Sequence, residues 1–295
     1  MKRILGIAAL AAASAAYAGS FTLDGTLDAA YGPAIAIQDT PTGFGDSNLG
    51  QNTFANGSEL NGAYGVIDGG MLRLMLTGNL ESNFNKLEVF IDSSAGGQNQ
   101  LRGDNANIDF NGLNRMGNDG SGNGMRFDSG FSPDHYLTAT GGFDGTGYQL
   151  FANYAELLTS GGGAGSFIGG SGTGNTVLTG SNGINIAINN SNTAGVSGGS
   201  AAGAGLVTTG IEIEIPLALL GGNDSSILVS VMINGGGHDF LSNQILGGVG
   251  GAGNLGEPRN VDFNNINGNQ YFKVVPEPAS LALLGLGALG LIRRR

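Results

Sequence analysis

Short runs in which every second residue is apolar recur along this chain and constrain its fold more than any other feature. Successive side chains of a β-strand point to opposite faces of the sheet, so each run presents one apolar face. The runs with leucine, valine or isoleucine at alternate positions are residues 71–77, 86–92, 184–188 and 211–215. Residues 227–233 are more uniformly apolar, which predicts a more deeply buried strand. Glu212 lies on the polar face of its run, and we expect its substitution to be nearly silent.

Clusters of Gly, Asn and Asp separate these runs, as at residues 68–70 and 221–224, and they predict turns. Helical periodicity is almost absent; Leu217–Leu220 could form one turn after Pro216. Many short strands joined by Gly-rich turns are typical of a sandwich. We therefore predict an all-β fold, a jelly-roll-like antiparallel β-sandwich, as one domain over residues 19–274.

One Gly/Ser/Asn-rich tract interrupts this pattern, from residue 161 to residue 205. Gly, Ser, Thr, Asn and Ala dominate this tract, and the whole chain has 57 glycines among 295 residues. Glycine raises the entropic cost of ordering a segment. The tract is predicted to be an extended loop system or a flexible insertion on one edge, with residues 184–188 as its best ordered element.

The N-terminus has the three parts of a secretory signal. Lys2-Arg3 is followed by an apolar run over residues 4–13, and Ala16 and Ala18 provide the small residues of a cleavage site. The alternative is a buried first helix. The pattern predicts a signal peptide over residues 1–18, cut after Ala18, and hence export through the Sec translocon.

The C-terminus combines a Pro-Glu-Pro sequence, an apolar segment at residues 279–292 and three basic residues. As a helix the apolar segment would be about 21 Å long, which is short of the roughly 30 Å hydrocarbon core of a bilayer. The terminal basic residues would stay on the cytoplasmic side. The residues that define the pattern are Pro276, Glu277, Pro278, Arg293, Arg294 and Arg295.

This three-part C-terminus, residues 275–295, resembles a PEP-CTERM sorting signal. The resemblance implies recognition by exosortase, a membrane transpeptidase, and cleavage near Pro278-Ala279. It also implies transient membrane insertion of the precursor through the C-terminal helix, followed by release or re-attachment of the body at the cell surface. The alternative is an ordinary tail anchor.

Charge and cysteine content exclude several classes of function. All 23 acidic residues lie between positions 19 and 278, whereas five of the 12 basic residues lie in the two terminal segments, so the body is more acidic than the net charge of −11 for the whole chain. Such a field repels nucleic acid, which excludes nucleic-acid binding. The chain has no cysteine, and therefore no disulfide framework, thiolate zinc site or cysteine nucleophile.

Four segments of the body are similar in order to family-nine-like carbohydrate-binding modules, which are β-sandwiches. These segments are residues 23–28 followed by Tyr31, then 72–78, 87–92 and 210–217. The chain departs from that family in having no tryptophan, the side chain that stacks best on a sugar ring. Tyr136, Tyr148 and Tyr154 could replace it, or they could pack in the core.

The sequence gives little support to catalysis. Its two histidines, His135 and His238, each adjoin an aspartate, so a shared metal or acid–base site is conceivable. They lack the spacing of paired metal ligands, and the chain has no serine-nucleophile elbow or phosphate-binding loop. We therefore predict that the protein is not an enzyme.

Calcium is the cofactor that the sequence favours, although no cofactor is certain. Asp119, Ser121 and Asn123 occupy alternate positions of a Gly-rich loop, as in the first half of an oxygen-rich calcium site. Asp128 would have to complete the coordination shell. Asp92, Asp104 and Asp109 could provide a second site, and ordinary turn residues are the alternative for both sets.

Three functions of different classes are consistent with these patterns. The first is an exported, exosortase-processed, non-catalytic protein of the cell surface or extracellular matrix, associated with exopolysaccharide. The second is a carbohydrate-binding module on the same fold, and the third is a hydrolase with an unrecognised site. A concave sheet face or loop cleft with at least two exposed aromatic side chains would favour the second.

Overall fold

A computed structural model describes residues 19–196 and 201–276. Helix is confined there to α1 (Gly112–Arg115), α2 (Ala201–Ala204) and four 3-10 turns, at Ala29–Tyr31, Leu217–Leu220, Pro258–Asn260 and Phe263–Asn265. The strands are β1 (Ala36–Ile37), β2 (Glu59–Asp68), β3 (Met71–Asn79), β4 (Asn83–Asp92), β5 (His135–Phe143), β6 (Tyr148–Glu156), β7 (Gly165–Gly170), β8 (Val177–Thr179), β9 (Asn185–Ile188), β10 (Gly210–Pro216), β11 (Ile227–Asn234), β12 (Leu241–Ile245) and β13 (Phe272–Val274). Each of the five predicted strands is confirmed, and so is the single turn at Leu217–Leu220.

The strands form two antiparallel sheets. The smaller sheet has the order β1-β2-β3-β10-β9-β8, and the larger has the order β12-β11-β4-β5-β6-β7, with β13 paired to β11. The central pairings join distant parts of the chain: β3 pairs with β10, placing Leu74 opposite Ile213, and β4 pairs with β11, placing Val89 opposite Val231. The predicted antiparallel β-sandwich is confirmed.

The core between the sheets is built from the alternating apolar faces. Leu74 and Ile213 of the smaller sheet and Val89 and Val231 of the larger sheet are fully buried in one cluster. Burying a side chain of this size stabilises the fold by about 1.5 to 3 kcal/mol. The period-two pattern therefore predicts correctly which residues face inward.

Long loops cover most of the outer face of the larger sheet with a second apolar cluster. Phe90 and Tyr136 point outward from β4 and β5, and loop residues Phe127 and Phe263 pack over them. The ring centroids of Phe90 and Phe127 are 4.8 Å apart in an edge-to-face contact. The loop layer leaves one end of this face open, next to the first residues of β4.

The segment that begins at residue 19 covers the outer face of the smaller sheet. Tyr31 packs there with Tyr64 and Met75. Glu212, on β10, is 1 % exposed and accepts hydrogen bonds from the backbone N–H groups of Asp24 and Gly25 and from the Tyr31 hydroxyl, at 3.0, 3.1 and 2.8 Å. The expectation that Glu212 faces solvent is wrong, because this segment lies over the polar face of β10.

The Gly/Ser/Asn-rich tract supplies edge strands to both sheets. Within residues 161–205, β7 pairs with β6 at one edge of the larger sheet, and β8 and β9 extend the smaller sheet from β10. The tract thus crosses from one sheet to the other along one edge of the sandwich. Most glycines of its described part lie outside these strands.

The last strand, β13, and the two residues after it contact both sheets. Phe272 and Val274 of β13 lie opposite Val229 and Ile227 of β11. The backbone N–H of Ile67, on β2 of the other sheet, donates to the Val275 carbonyl at 3.3 Å, and Ile67 forms a bridge with Pro276. The residues that complete the sandwich therefore lie at the predicted boundary between the body and the C-terminal segment.

Candidate functional site

Five residues other than glycine have left-handed backbone conformations in the part of the chain that the structure describes, and all five lie in one region. They are Phe84, Asp109, Phe110, Asn111 and His238, with φ of 70°, 45°, 54°, 66° and 54°. Side chains other than glycine rarely adopt such angles, and strained residues of this kind cluster at functional sites. This cluster marks the region as the candidate site.

A cleft of about 560 Å³ opens here, on the uncovered end of the larger sheet. Phenylalanines form much of its wall: Phe110 is fully exposed, Phe167 is 61 % exposed and Phe84 is 43 % exposed. The complete lining is Phe84, Lys86, Asp109, Phe110, Thr140, Phe151, Asn153 and Phe167. Several aromatic faces with a few polar groups among them are typical of a ligand-binding cleft.

The sheet positions these side chains by alternation. Leu87, Val89 and Ile91 of β4 face the core, so Lys86 points to the outer face, where Thr140 of β5 lies opposite it. The ring of Phe84 lies over Gly142, where an added Cβ would be 2.2 Å from a ring carbon. Glycine at this position therefore makes room for the aromatic wall.

A buried network of charges lies beneath the cleft. The carboxylate of Asp109 is 2.8 Å from Lys86 Nζ and 2.8 Å from His238 Nε2. The other ring nitrogen of His238, Nδ1, is 2.8 Å from Glu88 Oε1, and the Tyr136 hydroxyl donates to Glu88. This network holds Asp109 in place, and Phe110 follows it directly in the chain.

The network sets the ionisation of its members. Burial would lower the pKa of His238, but the carboxylates of Glu88 and Asp109 raise that pKa to about 9. Burial would raise the pKa of Asp109, whereas hydrogen bonds from His238 and Lys86 lower it to about 2. At neutral pH His238 is therefore a cation and Asp109 an anion, and the Asp109 carboxylate is not free to act as a general acid.

We expect the two histidines to titrate far apart. Burial lowers the pKa of His135 below its ordinary 6.5, although Asp134 and Glu156 oppose this shift. NMR of the two imidazole C–H signals should give one pKa near 9 and one below 6.5. Because folding raises the pKa of His238, its contribution to the free energy of unfolding is complete below pH 6.5 and is lost as the pH rises toward 9. Two ordinary histidine titrations would contradict the ion network.

The three tyrosines considered for sugar stacking are core residues. Tyr136 and Tyr148 are buried in different clusters, and the Tyr154 hydroxyl lies 2.7 Å from His135 Nδ1. The exposed aromatic residues are phenylalanines that sequence analysis did not select. Phe84 and Phe110 share a signal that could have found them, since each stands between two Asn or Asp residues.

The two histidines do not share a site. His135 lies against Tyr154, with its Nε2 3.6 Å from Asp134, while His238 contacts Glu88 and Asp109. The partners of His238 come from β4 and from the loop before α1. The conceivable common metal or acid–base site is therefore not formed.

The predicted calcium ligands have other partners. Asp119 accepts a hydrogen bond from the Ser121 backbone N–H at 3.1 Å, and its other oxygen is 3.4 Å from Asn123 Nδ2. Asp128 is buried and accepts from the backbone N–H of Gln270 at 2.6 Å. Over residues 19–196 and 201–276, no three acidic or histidine side chains are arranged to hold a metal ion. Calcium binding stays a prediction without support from these contacts.

The acidic residues considered for a second calcium site also have other partners. Asp92 accepts from the backbone N–H of Ser132 at 2.8 Å, and Asp104 forms an ion pair with Arg102 at 2.6 Å. Asp109 belongs to the network beneath the cleft. These contacts give each carboxylate a separate structural role.

Most residues of the two terminal signals lie outside the described part of the chain. Ala16 and Ala18 precede it, and Glu277, Pro278 and Arg293 to Arg295 follow it, whereas Pro276 is its last residue. None of the helices that the structure describes is both long and apolar enough to span a bilayer. The signal peptide therefore stays a prediction from sequence.

Comparison with known proteins identifies the C-terminal segment. Residues 274–295 match the family model of the PEP-CTERM protein-sorting motif. No curated protein and no solved structure matches the chain, so the resemblance of its body to carbohydrate-binding modules stays a prediction. The motif implies export, association with the cell surface and processing by exosortase. The chain thus carries a PEP-CTERM sorting motif directly after its β-sandwich body.

Proposed function

We propose that this protein is a non-catalytic polysaccharide-binding protein of the cell surface or extracellular matrix. Its precursor is exported through the Sec translocon, held in the membrane by its C-terminal segment and cleaved by exosortase. Its body then associates with exopolysaccharide. The observation that carries this proposal is the open cleft with exposed Phe84, Phe110 and Phe167 at its wall.

The cleft has the chemistry that a sugar polymer requires. Sugar rings have apolar faces that stack on aromatic side chains and hydroxyl groups that need hydrogen-bond partners. Phe110 and Phe167 offer aromatic faces for stacking. Thr140, Asn153 and Lys86 place hydrogen-bonding groups among these rings. The chain has no tryptophan, and phenylalanine can thus provide the stacking on sugar rings in its place.

A binding role without catalysis agrees with the charges at the cleft. Asp109 is the acidic residue that lines the cleft, and its carboxylate forms ion pairs with Lys86 and His238. The second carboxylate nearby, Glu88, is fully buried beneath the cleft. Glycoside hydrolysis normally needs two carboxyl groups on opposite sides of the scissile bond.

The test is a binding screen of the purified body, residues 19–276, against whole polysaccharides, including the exopolysaccharide of the native host. The matched variants are Phe110→Ala with Phe167→Ala, and Leu206→Ala as a control, because Leu206 is 78 % exposed outside the cleft. Stacking contributes about 1 kcal/mol for each ring, so the double variant loses about 2 kcal/mol and should bind roughly thirtyfold more weakly. Equal binding by the double variant, or no retention of the unaltered body on any polysaccharide, would contradict the proposal.

A further inference from the structure

The sorting motif begins inside the folded body. The match starts at Val274, the last residue of β13, which is fully buried. The next residue, Val275, accepts a hydrogen bond from Ile67 of the opposite sheet, and Pro276 forms a bridge with the same residue. The body and the motif are therefore joined without a spacer.

Three loops meet where the motif leaves the sandwich, and we call them together the exit end. They are the turn Asp68–Gly70 between β2 and β3, residues 93–94 after β4, and residues 221–224 before β11. The Leu217 N–H donates to the Gly70 carbonyl at 2.9 Å, and the Leu217 carbonyl accepts from the Gly222 N–H at 2.7 Å. Asn223 Nδ2 donates to the Ser93 carbonyl at 2.6 Å. These contacts fix the three loops relative to one another.

We propose that the exit end is a contact surface for exosortase. The expected cleavage position follows Pro278, and the three residues beyond Val275 span about 10 Å at most, even when fully extended. An enzyme that cleaves there must approach the sandwich to within that distance. The loops beside Val275 would therefore contact the enzyme when it binds the cleavage position.

The residues of the exit end favour a protein partner over the lipid surface. Asp224 and Ser94 are exposed, Asp68 is half-buried, and Gly221 and Gly222 add no side-chain bulk. Small side chains permit close approach of another protein, whereas exposed carboxylates are repelled by anionic lipid headgroups. Lys273 on β13 is exposed as well and could pair with an acidic group of the enzyme.

The cleft lies at the other end of the sandwich. The exit end adjoins Asp92, the last residue of β4, and the cleft contains Phe84 and Lys86 near its start. Six residues of a strand separate Lys86 from Asp92, about 20 Å. A change at the exit end therefore leaves the cleft intact, so the exosortase contact and the proposed polysaccharide binding can fail independently.

The experiment measures processing of the full chain in a host that contains exosortase, by pulse-chase labelling. Asp224→Trp adds bulk at the exit end, and Thr146→Trp adds the same bulk to the exposed turn between β5 and β6 at the other end. Both variants are also tested with a ten-residue Gly/Ser spacer inserted between Val274 and Val275. Melting curves of the purified bodies confirm that both variants fold.

We expect Asp224→Trp to slow the appearance of processed protein several-fold and Thr146→Trp to leave it unchanged. The spacer should restore processing of Asp224→Trp, because a flexible linker of this length adds roughly 17 Å of reach. Equal processing of the two variants would overturn the proposal. A defect that the spacer does not correct, or a change in membrane association of the precursor without a change in cleavage, would overturn it as well.

Discussion

Replacing Glu212 by Ala should destabilise the body by about 3 kcal/mol or more, because a buried carboxylate that accepts hydrogen bonds contributes about 1.5 to 3 kcal/mol for each bond. Three donors lose their acceptor in this variant: the backbone N–H groups of Asp24 and Gly25 and the Tyr31 hydroxyl. The segment that covers the smaller sheet would then lose its polar attachment. Chemical denaturation of the purified body measures the loss of free energy of unfolding.

Glu214→Ala is the matched control. It lies two residues further along β10 on the same face, is half-buried, and pairs with Arg73 and Asn185. Because an ion pair nearer the surface contributes about 1 kcal/mol or less, this variant should lose much less stability. If both variants unfold at the same denaturant concentration, the attachment of the N-terminal segment through Glu212 is not important for stability.

Replacing Glu277 by Ala should abolish processing and leave an uncut precursor held in the membrane. Deleting Arg293 to Arg295 should instead let the chain pass through the membrane uncleaved, because these basic residues stop transfer on the cytoplasmic side. The unaltered mature protein should end near Pro278. Intact-mass measurement of membrane, surface and medium fractions from the native host distinguishes the three forms.

Asp39→Ala is the control for loss of an acidic residue, since Asp39 is exposed and outside the motif. It should be processed like the unaltered protein. A mature form that still ends in Arg295 would show that the C-terminal segment is an ordinary anchor. Such a result would leave the fold and the cleft unaffected, because residues 19–276 form both.

The core of the sandwich could be predicted from sequence because a strand has a period of two. Leu74, Val89 and Ile213 were placed inside by alternation alone, and the structure buries all three. The same rule misplaced Glu212. Alternation states only that a residue lies on the face away from the core, and it cannot show that residues 19–34, almost 190 positions earlier, cover that face.

The cleft could not be predicted because its walls come from separate parts of the chain. Phe84 is the second residue of β4, Phe110 lies in the loop before α1, and Phe167 lies on β7. Tryptophan and tyrosine are the aromatic residues expected at a sugar-binding site, whereas phenylalanine is more often a core residue. The Asn and Asp residues that flank Phe84 and Phe110 indicate irregular backbone at each position, but only the structure shows that the five left-handed residues lie in one region.

The pairing of β3 with β10 and of β4 with β11 has a consequence for the time course of export. The paired residues are about 140 positions apart in the chain, and folds with such distant contacts form slowly. On the Sec route proposed above, the N-terminal strands would leave the translocon long before their partners and remain unpaired until those follow. Since β13 closes the sandwich and the sorting motif follows at once, the body would finish folding in the membrane-held precursor that we propose. The proposed retention would thus give a slow-folding body time to mature before exosortase cleaves it.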